Sequence, residues 1–291
     1  MTGPQRSGGR ATRFLVTGAG GMLGRDLLAV LDGRDVTAAT RAELDITDAA
    51  KVRSLVEGHD VVINAAAWTD VDGAEADEAA ATAVNGAGVA ALAAACAATG
   101  ARLVHVSTDY VFPGDATEPY AEDAATGPIN AYGRSKLVGE RAVLDTLPES
   151  GYVVRTAWLY GTTGRNFVLT MLRLAAEREF VDVIDDQVGQ PTWARDLAER
   201  LVALADADAP AGVYHGTASG RTSWHGLAAA TFELAGHDPA RVRHTTSAAF
   251  VRPAKRPAFS VLGHERWSAA GMPPMRDWRA MLQDMMPGVA R

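Results

Sequence analysis

The chain has 291 residues, 47% of them hydrophobic, and a net charge of -7. That is enough for one large domain or two intimate ones around a sizeable core. The acidic balance argues against a general nucleic-acid binder, so an anionic partner would need a local basic pocket. The single cysteine, Cys96, rules out an intramolecular disulfide and suits a reducing cytoplasm. No apolar run approaches the ~18 residues of a membrane span; the nearest, Val89 to Ala98, has the composition of an alanine-rich helix, and no membrane association is expected.

Residues 1–11 are expected to form a disordered tail, because Met1 to Arg10 hold three glycines, a proline and no apolar block of a signal peptide. Phe14 to Thr17 is a short apolar, partly β-branched run that predicts a buried strand. Gly18, Gly21 and Gly24 follow at three-residue spacing, and Asp26 to Leu31 then has helical composition; Met22 and Leu23 lie between these glycines. A strand, a glycine turn and a helix start together make a place for a diphosphate, since glycines allow close backbone approach and the helix N–H groups face the anion. Further strands are predicted at 36–40, 61–64, 103–107 and 152–156, with helices at 22–31, 48–57, 75–98 and 130–147. This alternation predicts βαβ units, hence an α/β, doubly wound parallel sheet over residues 12–160 with ligands at the C-terminal ends of its strands. Beyond 160 the order is less regular: helices at 166–178, 194–206 and 224–235, a loop from Asp185 to Thr192, a short strand at Val213-Tyr214-His215 and a proline- and arginine-rich stretch at 251–263. Residues 161–291 are therefore expected to form mainly a smaller, interleaved substrate-binding lobe with a soft boundary.

Ser107-Thr108-Asp109-Tyr110 lies just past the fourth strand, on the ligand edge. Tyr132 and Lys136 are four apart in the next helix and share a face. A free tyrosine has a pKa of about 10, and a nearby ammonium is expected to lower it. With Thr108 hydrogen-bonded to the same oxygen, this trio can move a proton to or from a carbinol oxygen. Lysine occurs only at Lys51, Lys136 and Lys255, which singles out Lys136 as a position where an ammonium is needed. His105, mid-strand, is expected to be a satisfied core histidine.

The glycine pattern, Asn64-Ala65-Ala66-Ala67, Ser107-Thr108-Asp109-Tyr110-Val111-Phe112 and Tyr132-x-x-x-Lys136 resemble the extended short-chain dehydrogenase/reductase family, and more narrowly its sugar-nucleotide 4-ketoreductases, from Phe14 to about Leu262. The more specific pieces are Ala67 to Asp72, Pro128-x-Asn130-x-Tyr132-Gly133, Gly139-Glu140, Arg155-Thr156-x-Trp158, Asp186-Gln187-x-Gly189-x-Pro191-Thr192 and Arg256-Pro257-x-x-Ser260. The resemblance implies a Rossmann-type sheet and NAD(P)H-dependent reduction of a dTDP-4-keto-6-deoxy sugar. Tyr132 would donate the proton, Lys136 would bind the nicotinamide ribose and tune Tyr132, and Thr108 would orient the ketone. Met22 and Leu23 would cover the cofactor diphosphate, Asp45 and Ile46 would flank the adenine, and Ala65, Ala66, Ala67 and Thr69 would line the cofactor. Thr69, Val71, Asp109, Tyr110 and Trp158 would meet the sugar nucleotide, with Arg256 as a cationic anchor. For Trp68 and Trp158, core packing is the alternative. The second strand ends Ala38-Ala39-Thr40-Arg41 with no acid for a ribose 2′-OH, so Thr40 and Arg41 predict NADPH, with NADH possible.

Two positions depart from the pattern. Phe259 stands where a polar residue is expected before Ser260. Some relatives dimerise through a carboxylate-bound metal; Asp26 matches one such ligand, but Arg195 stands near where another acid is needed, so no metal is expected. A monomer or homodimer remains open. A ketoreductase for another deoxysugar, such as the dihydrostreptose type, and a non-catalytic dinucleotide-binding regulatory subunit are the alternatives.

Overall fold

The computed structural model describes residues 11–289. The expected tail, apart from Ala11, lies outside the described residues. In chain order the first half runs β1 (Arg13–Thr17), α1 (Met22–Val30), β2 (Asp35–Ala39), α2 (Ala49–Val56), β3 (Val61–Asn64), α3 (Val71–Ala76), α4 (Glu78–Thr82), a π-helical turn (Ala83–Gly88), α5 (Val89–Thr99), β4 (Arg102–Thr108), α6 (Ala131–Thr146) and β5 (Gly151–Thr156). Then follow β6 (Leu159–Tyr160), α7 (Phe167–Glu177), β7 (Val181–Ile184), β8 (Val188–Gly189), β9 (Thr192–Trp193), α8 (Ala194–Asp206), β10 (Gly212–His215), β11 (Thr222–Ser223), α9 (Trp224–Leu234), β12 (Val242–Thr245), α10 (Glu265–Ala269) and α11 (Trp278–Met285).

The main sheet has the order β10-β5-β4-β3-β1-β2, with every pair parallel. Its central strands β1, β3, β4 and β5 are almost wholly buried because both faces are covered, whereas the edge strand β2 is half exposed. Side chains alternate between two cores, as the strand period of two requires. Phe14, Val16, Ile63, Val104, Tyr152 and Val154 face Leu27 of α1 and Leu197 and Leu201 of α8. Leu15, Val62, Leu103 and Val153 face α2, α5 and α6 through Val52, Leu92, Cys96 and Val143. The predicted strand at 213–215 is therefore the sixth strand of this sheet, and α8 packs beside α1. The sheet layers draw on residues from both sides of position 160.

The single helix predicted at 75–98 is broken at Asp77, whose carboxylate caps α4 by accepting from Ala80 N. Residues 78–99 are a run of 22 residues, long and apolar enough by length and composition to cross a membrane, longer than the sequence reading allowed. Half of its apolar window is buried, with Leu92, Ala93 and Cys96 against the sheet. Burial pushes the Cys96 thiol up to about 12, so it carries no thiolate at neutral pH.

The second lobe is built from the parallel pair β7–β12 under α7 and α9, with Met171, Val183, Phe232 and Val242 at its centre. The two-residue ladder β6–β9 ties the segment after β5 to the start of α8, and β8–β11 ties the loop after β7 to the start of α9. Backbone bridges at Tyr120↔Leu262 and Val188↔Phe259 bring the 250–262 stretch back to the loop after β4 and to β8. Phe259 lies there under the guanidinium of Arg221, 5.7 Å from its ring centroid, which accounts for an aromatic at that position.

Candidate active site

A cleft of about 1030 Å³ opens where the strands of the main sheet end and the second lobe faces them. Its deep floor is the glycine turn. Gly18 has φ +69°, and a Cβ there would lie 2.6 Å from Ala66 N. A Cβ on Gly24 would lie 2.3 Å from Gly18 O, so α1 and the turn can approach only without side chains. No side chain caps α1 at Gly21, which leaves its first N–H groups facing the cleft. Met22 and Leu23 line the same floor, and Ala65, Ala66, Ala67 and Thr69 form the wall after β3. This cradle fits a dinucleotide diphosphate on its own geometry.

Thr40, Arg41, Asp45 and Ile46 line one end. β2 itself ends without an acid, but Glu43 folds back onto its end. Its carboxylate accepts from Thr40 N at 2.8 Å and from the Thr40 hydroxyl. The Thr40 hydroxyl is thus already engaged, whereas the Arg41 charge acts only weakly on Asp45.

At the other end, β4 delivers Thr108 and the helix α6 delivers Tyr132, Lys136 and Glu140 along one face. Asn130 fixes the start of α6 by accepting from Gly133 N at 2.8 Å, and donates to Lys255 O at 2.8 Å. The Thr108 hydroxyl donates to Asp109 Oδ1 at 2.9 Å and accepts from Tyr110 N at 3.2 Å. The Tyr110 and Tyr132 rings meet edge to face, with centroids 5.9 Å apart. Below them, Glu140 accepts from Ser107 Oγ at 2.5 Å and takes the Arg155 guanidinium in a buried pair at 2.8 Å.

Lys136 is only 2% exposed and donates to Val106 O at 2.7 Å. Its Nζ also lies 3.4 Å from His105 Nε2. The tautomer of His105 follows from its neighbours. Asn64 Oδ1 accepts from Ala66 N at 3.1 Å and from Thr17 Oγ1 at 2.6 Å, so the Asn64 amide donates to His105 Nδ1. The ring proton is then on Nε2, facing the lysine. His105 is a core residue, as expected, but it is only half satisfied: Nδ1 accepts from Asn64, whereas Nε2 meets the lysine amine.

Burial pulls the Lys136 amine down to about 8, with the Glu140 charge opposing. Burial first, then the Asp109 charge, raises the Tyr132 phenol; its hydrogen bond with Thr108 works the other way. The expected lowering of Tyr132 by the lysine ammonium is therefore corrected: desolvation wins, and the phenol stays protonated and able to donate. Burial likewise pushes Asp109 up to about 6 against the Ser260 and Thr108 hydroxyls.

Residues 12–290 match the family model described as the RmlD substrate binding domain. The chain belongs to the RmlD family. It is 58% identical over 285 residues to the dTDP-4-dehydrorhamnose reductase of Streptomyces griseus, covering 95% of this chain and 94% of that one. It is 53% identical over 279 residues to the dTDP-4-keto-6-deoxy-D-glucose reductase of Streptomyces niveus, covering 94% and 96%. The crystal structure of dTDP-4-dehydrorhamnose reductase from Bacillus anthracis in complex with NADP is similar with a TM-score of 0.91 at 36% identity, covering 97% of this chain and 99% of that one.

In this RmlD-family chain, every residue expected at the site lines the cleft except Arg256, with Val71, Asp109, Tyr110 and Trp158 on the second-lobe side. Arg256 instead makes a bidentate pair with Asp72, at 2.7 and 2.9 Å, and lies against the Tyr110 hydroxyl. Arg252 also leans on Asp72 at 3.7 Å. A carboxylate on α3 thus organises the basic loop expected to reach the ligand. Trp158 serves the wall, not only the core: it has φ 47° and stacks on Trp224, with centroids 3.7 Å apart. Trp68 also lines the cleft, its indole N–H donating to Asp70 O at 2.8 Å.

Sequence reasoning missed Arg165, Trp224 and Asn85. Arg165 lies on the cleft rim and has no ion-pair partner among the described residues. A lone cation in the glycine-bearing loop Gly161 to Asn166, just past Trp158, was the available signal. Asn85 holds Trp68 from the π turn, accepting from Trp68 N at 2.9 Å and donating to Ser135 Oγ at 2.9 Å. Asp26 is partly buried on α1 with the Arg195 charge nearby, while Arg195 pairs with Glu199 at 2.9 Å.

Proposed function

We propose that this chain reduces the C4 ketone of a dTDP-4-keto-6-deoxy sugar with NADPH, converting dTDP-4-dehydro-L-rhamnose to dTDP-L-rhamnose. The observation that carries the reading is the Tyr132 phenol and the Thr108 hydroxyl lining the same cleft as a glycine cradle for a dinucleotide. The names of the relatives point to the same chemistry.

NADPH, when bound on the Gly18–Gly24 turn, supplies the hydride. Thr108, turning its hydroxyl proton from Asp109 Oδ1, and Tyr132 hydrogen-bond the ketone oxygen and favour the charge that grows on it. Tyr132 then gives its proton to that oxygen, leaving an alcohol and a phenolate. Lys136, one helical turn away, stabilises the phenolate while charged, and its pKa near 8 suits proton exchange at neutral pH. Arg165 on the rim would offer a cation to the sugar-nucleotide diphosphate. A regulatory subunit without activity would have no need of this polar trio. A cytoplasmic location agrees with the buried, unpaired Cys96.

A reductase for the D-gluco 4-keto sugar is the second reading, favoured by the 53% identity to a protein of that name. Loss of NADPH absorbance with each dTDP-4-keto sugar, followed by NMR of the product, tests both. Faster turnover of dTDP-4-dehydro-L-rhamnose supports the proposal. Faster turnover of the D-gluco sugar selects the second reading, and no NADPH consumption with either overturns both.

A further inference from the structure

We propose that Asp185, His225 and His244 form a binding site for a divalent transition-metal ion of the zinc class, on the second lobe and behind the cleft wall. The three come from separate elements: Asp185 follows β7, His225 sits in the first turn of α9, and His244 lies in β12. One donor atom from each lies within 4.8 Å of the other two.

The groups around them prepare these atoms as ligands. His225 Nε2 lies 3.0 Å from Val242 O. A carbonyl only accepts, so the ring proton is on Nε2 and Nδ1 keeps its lone pair for a ligand. Ser223 Oγ accepts from Gly226 N at 3.1 Å, capping α9, and its proton goes to Asp185 Oδ1. The other carboxylate oxygen meets His244 Nδ1 at 2.9 Å. Hydrogen bonds of this kind, a carbonyl behind an imidazole and a hydroxyl behind a carboxylate, hold metal ligands in orientation. Asp185 is itself fixed, since its N–H donates to Thr245 O at 3.0 Å. The His225 and His244 rings are stacked with centroids 3.5 Å apart.

Two imidazoles and one carboxylate suit zinc, cobalt or nickel, with water completing the shell. Magnesium and calcium prefer oxygen donors throughout. Binding would replace the hydrogen bond between His244 and Asp185 and splay the stacked rings, which the 67% exposure of the His244 side chain allows. The ion would clamp the start of α9 to the β7–β12 pair. Trp224, adjacent to His225, stacks on Trp158 and donates to Gln187 Oε1 at 3.2 Å, so the clamp would sit directly behind the aromatic wall of the cleft.

The test is calorimetric titration of the tag-free, chelator-stripped full chain with zinc chloride alone, with magnesium chloride as the comparison. About one equivalent of zinc should bind and magnesium should not. His225→Ala and His244→Gln should each weaken zinc at least about tenfold, while His237→Ala, outside the cluster, should not. Should His225→Ala unfold, His244→Gln decides alone, because its side chain is largely in solvent. Absence of zinc binding, or zinc binding unchanged in His244→Gln, overturns the proposal.

Discussion

Lys136 is a buried amine whose charged form is disfavoured by the fold, and that has a measurable cost. Its pKa falls from the ordinary 10.5 to about 8, through burial. At about 1.4 kcal/mol per pH unit, the difference amounts to about 3 kcal/mol. Between pH 8 and 10.5 the unfolded chain keeps the lysine proton while the folded chain has released it. The unfolded state then binds more protons, so stability rises with pH across that window. Lys136→Met removes this titration and leaves the others in place. Urea unfolding of wild type and variant at pH 7, 8, 9 and 9.5 isolates the lysine as the difference between the two curves. The wild type should gain on the variant by about 2 kcal/mol from pH 8 to 9.5, with little change from pH 7 to 8. A difference that stays flat across the series would show that Lys136 titrates as it does in solvent, and would refute the desolvation argument.

Tyr132→Phe should retain the fold and the NADPH dissociation constant while kcat falls about 10²–10⁴-fold, as expected for loss of a general acid; stopped-flow turnover and fluorescence titration separate the two. Arg41→Ala should weaken NADPH more than NADH, because Arg41 lines the cleft two residues past the end of β2, where a 2′-phosphate is expected; equal weakening of both cofactors in binding titrations would count against it. Arg165→Ala should raise KM for the dTDP sugar about tenfold or more, at roughly 1.5–3 kcal/mol for a charge-assisted contact, without moving the NADPH dissociation constant. Arg256→Ala should instead act through stability and the placement of Tyr110, since its charge is paired with Asp72.

The strand-turn-helix at 14–31 was legible because local chemistry determines it: apolar strand, obligatory glycines, then helix. The helix at 194–206 was equally clear, with Leu197, Leu201 and Leu204 facing one core. The destination of Val213-Tyr214-His215 was not, because a four-residue apolar strand does not announce which sheet it joins. The pair β7–β12 was missed for a related reason: half-exposed Val181-Asp182-Val183-Ile184 and Val242-Arg243-His244-Thr245 become strands only through each other. At the site, Tyr132 and Lys136 are four residues apart and could be paired from spacing alone. The partners that set their chemistry lie far away in sequence, His105 by 31 residues from Lys136 and Asp72 by 184 from Arg256. Burial, which raises the Tyr132 phenol where a lowering was expected, is a property of the assembled fold.

Reduction of dTDP-4-dehydro-L-rhamnose with NADPH deuterated at the transferring position of its nicotinamide tests the central claim most directly. The account predicts one deuterium at C4 of the sugar product by NMR, with formation of that product slowed about 10²–10⁴-fold in Tyr132→Phe. Product without deuterium at C4, or wild-type rates from Tyr132→Phe, would contradict it.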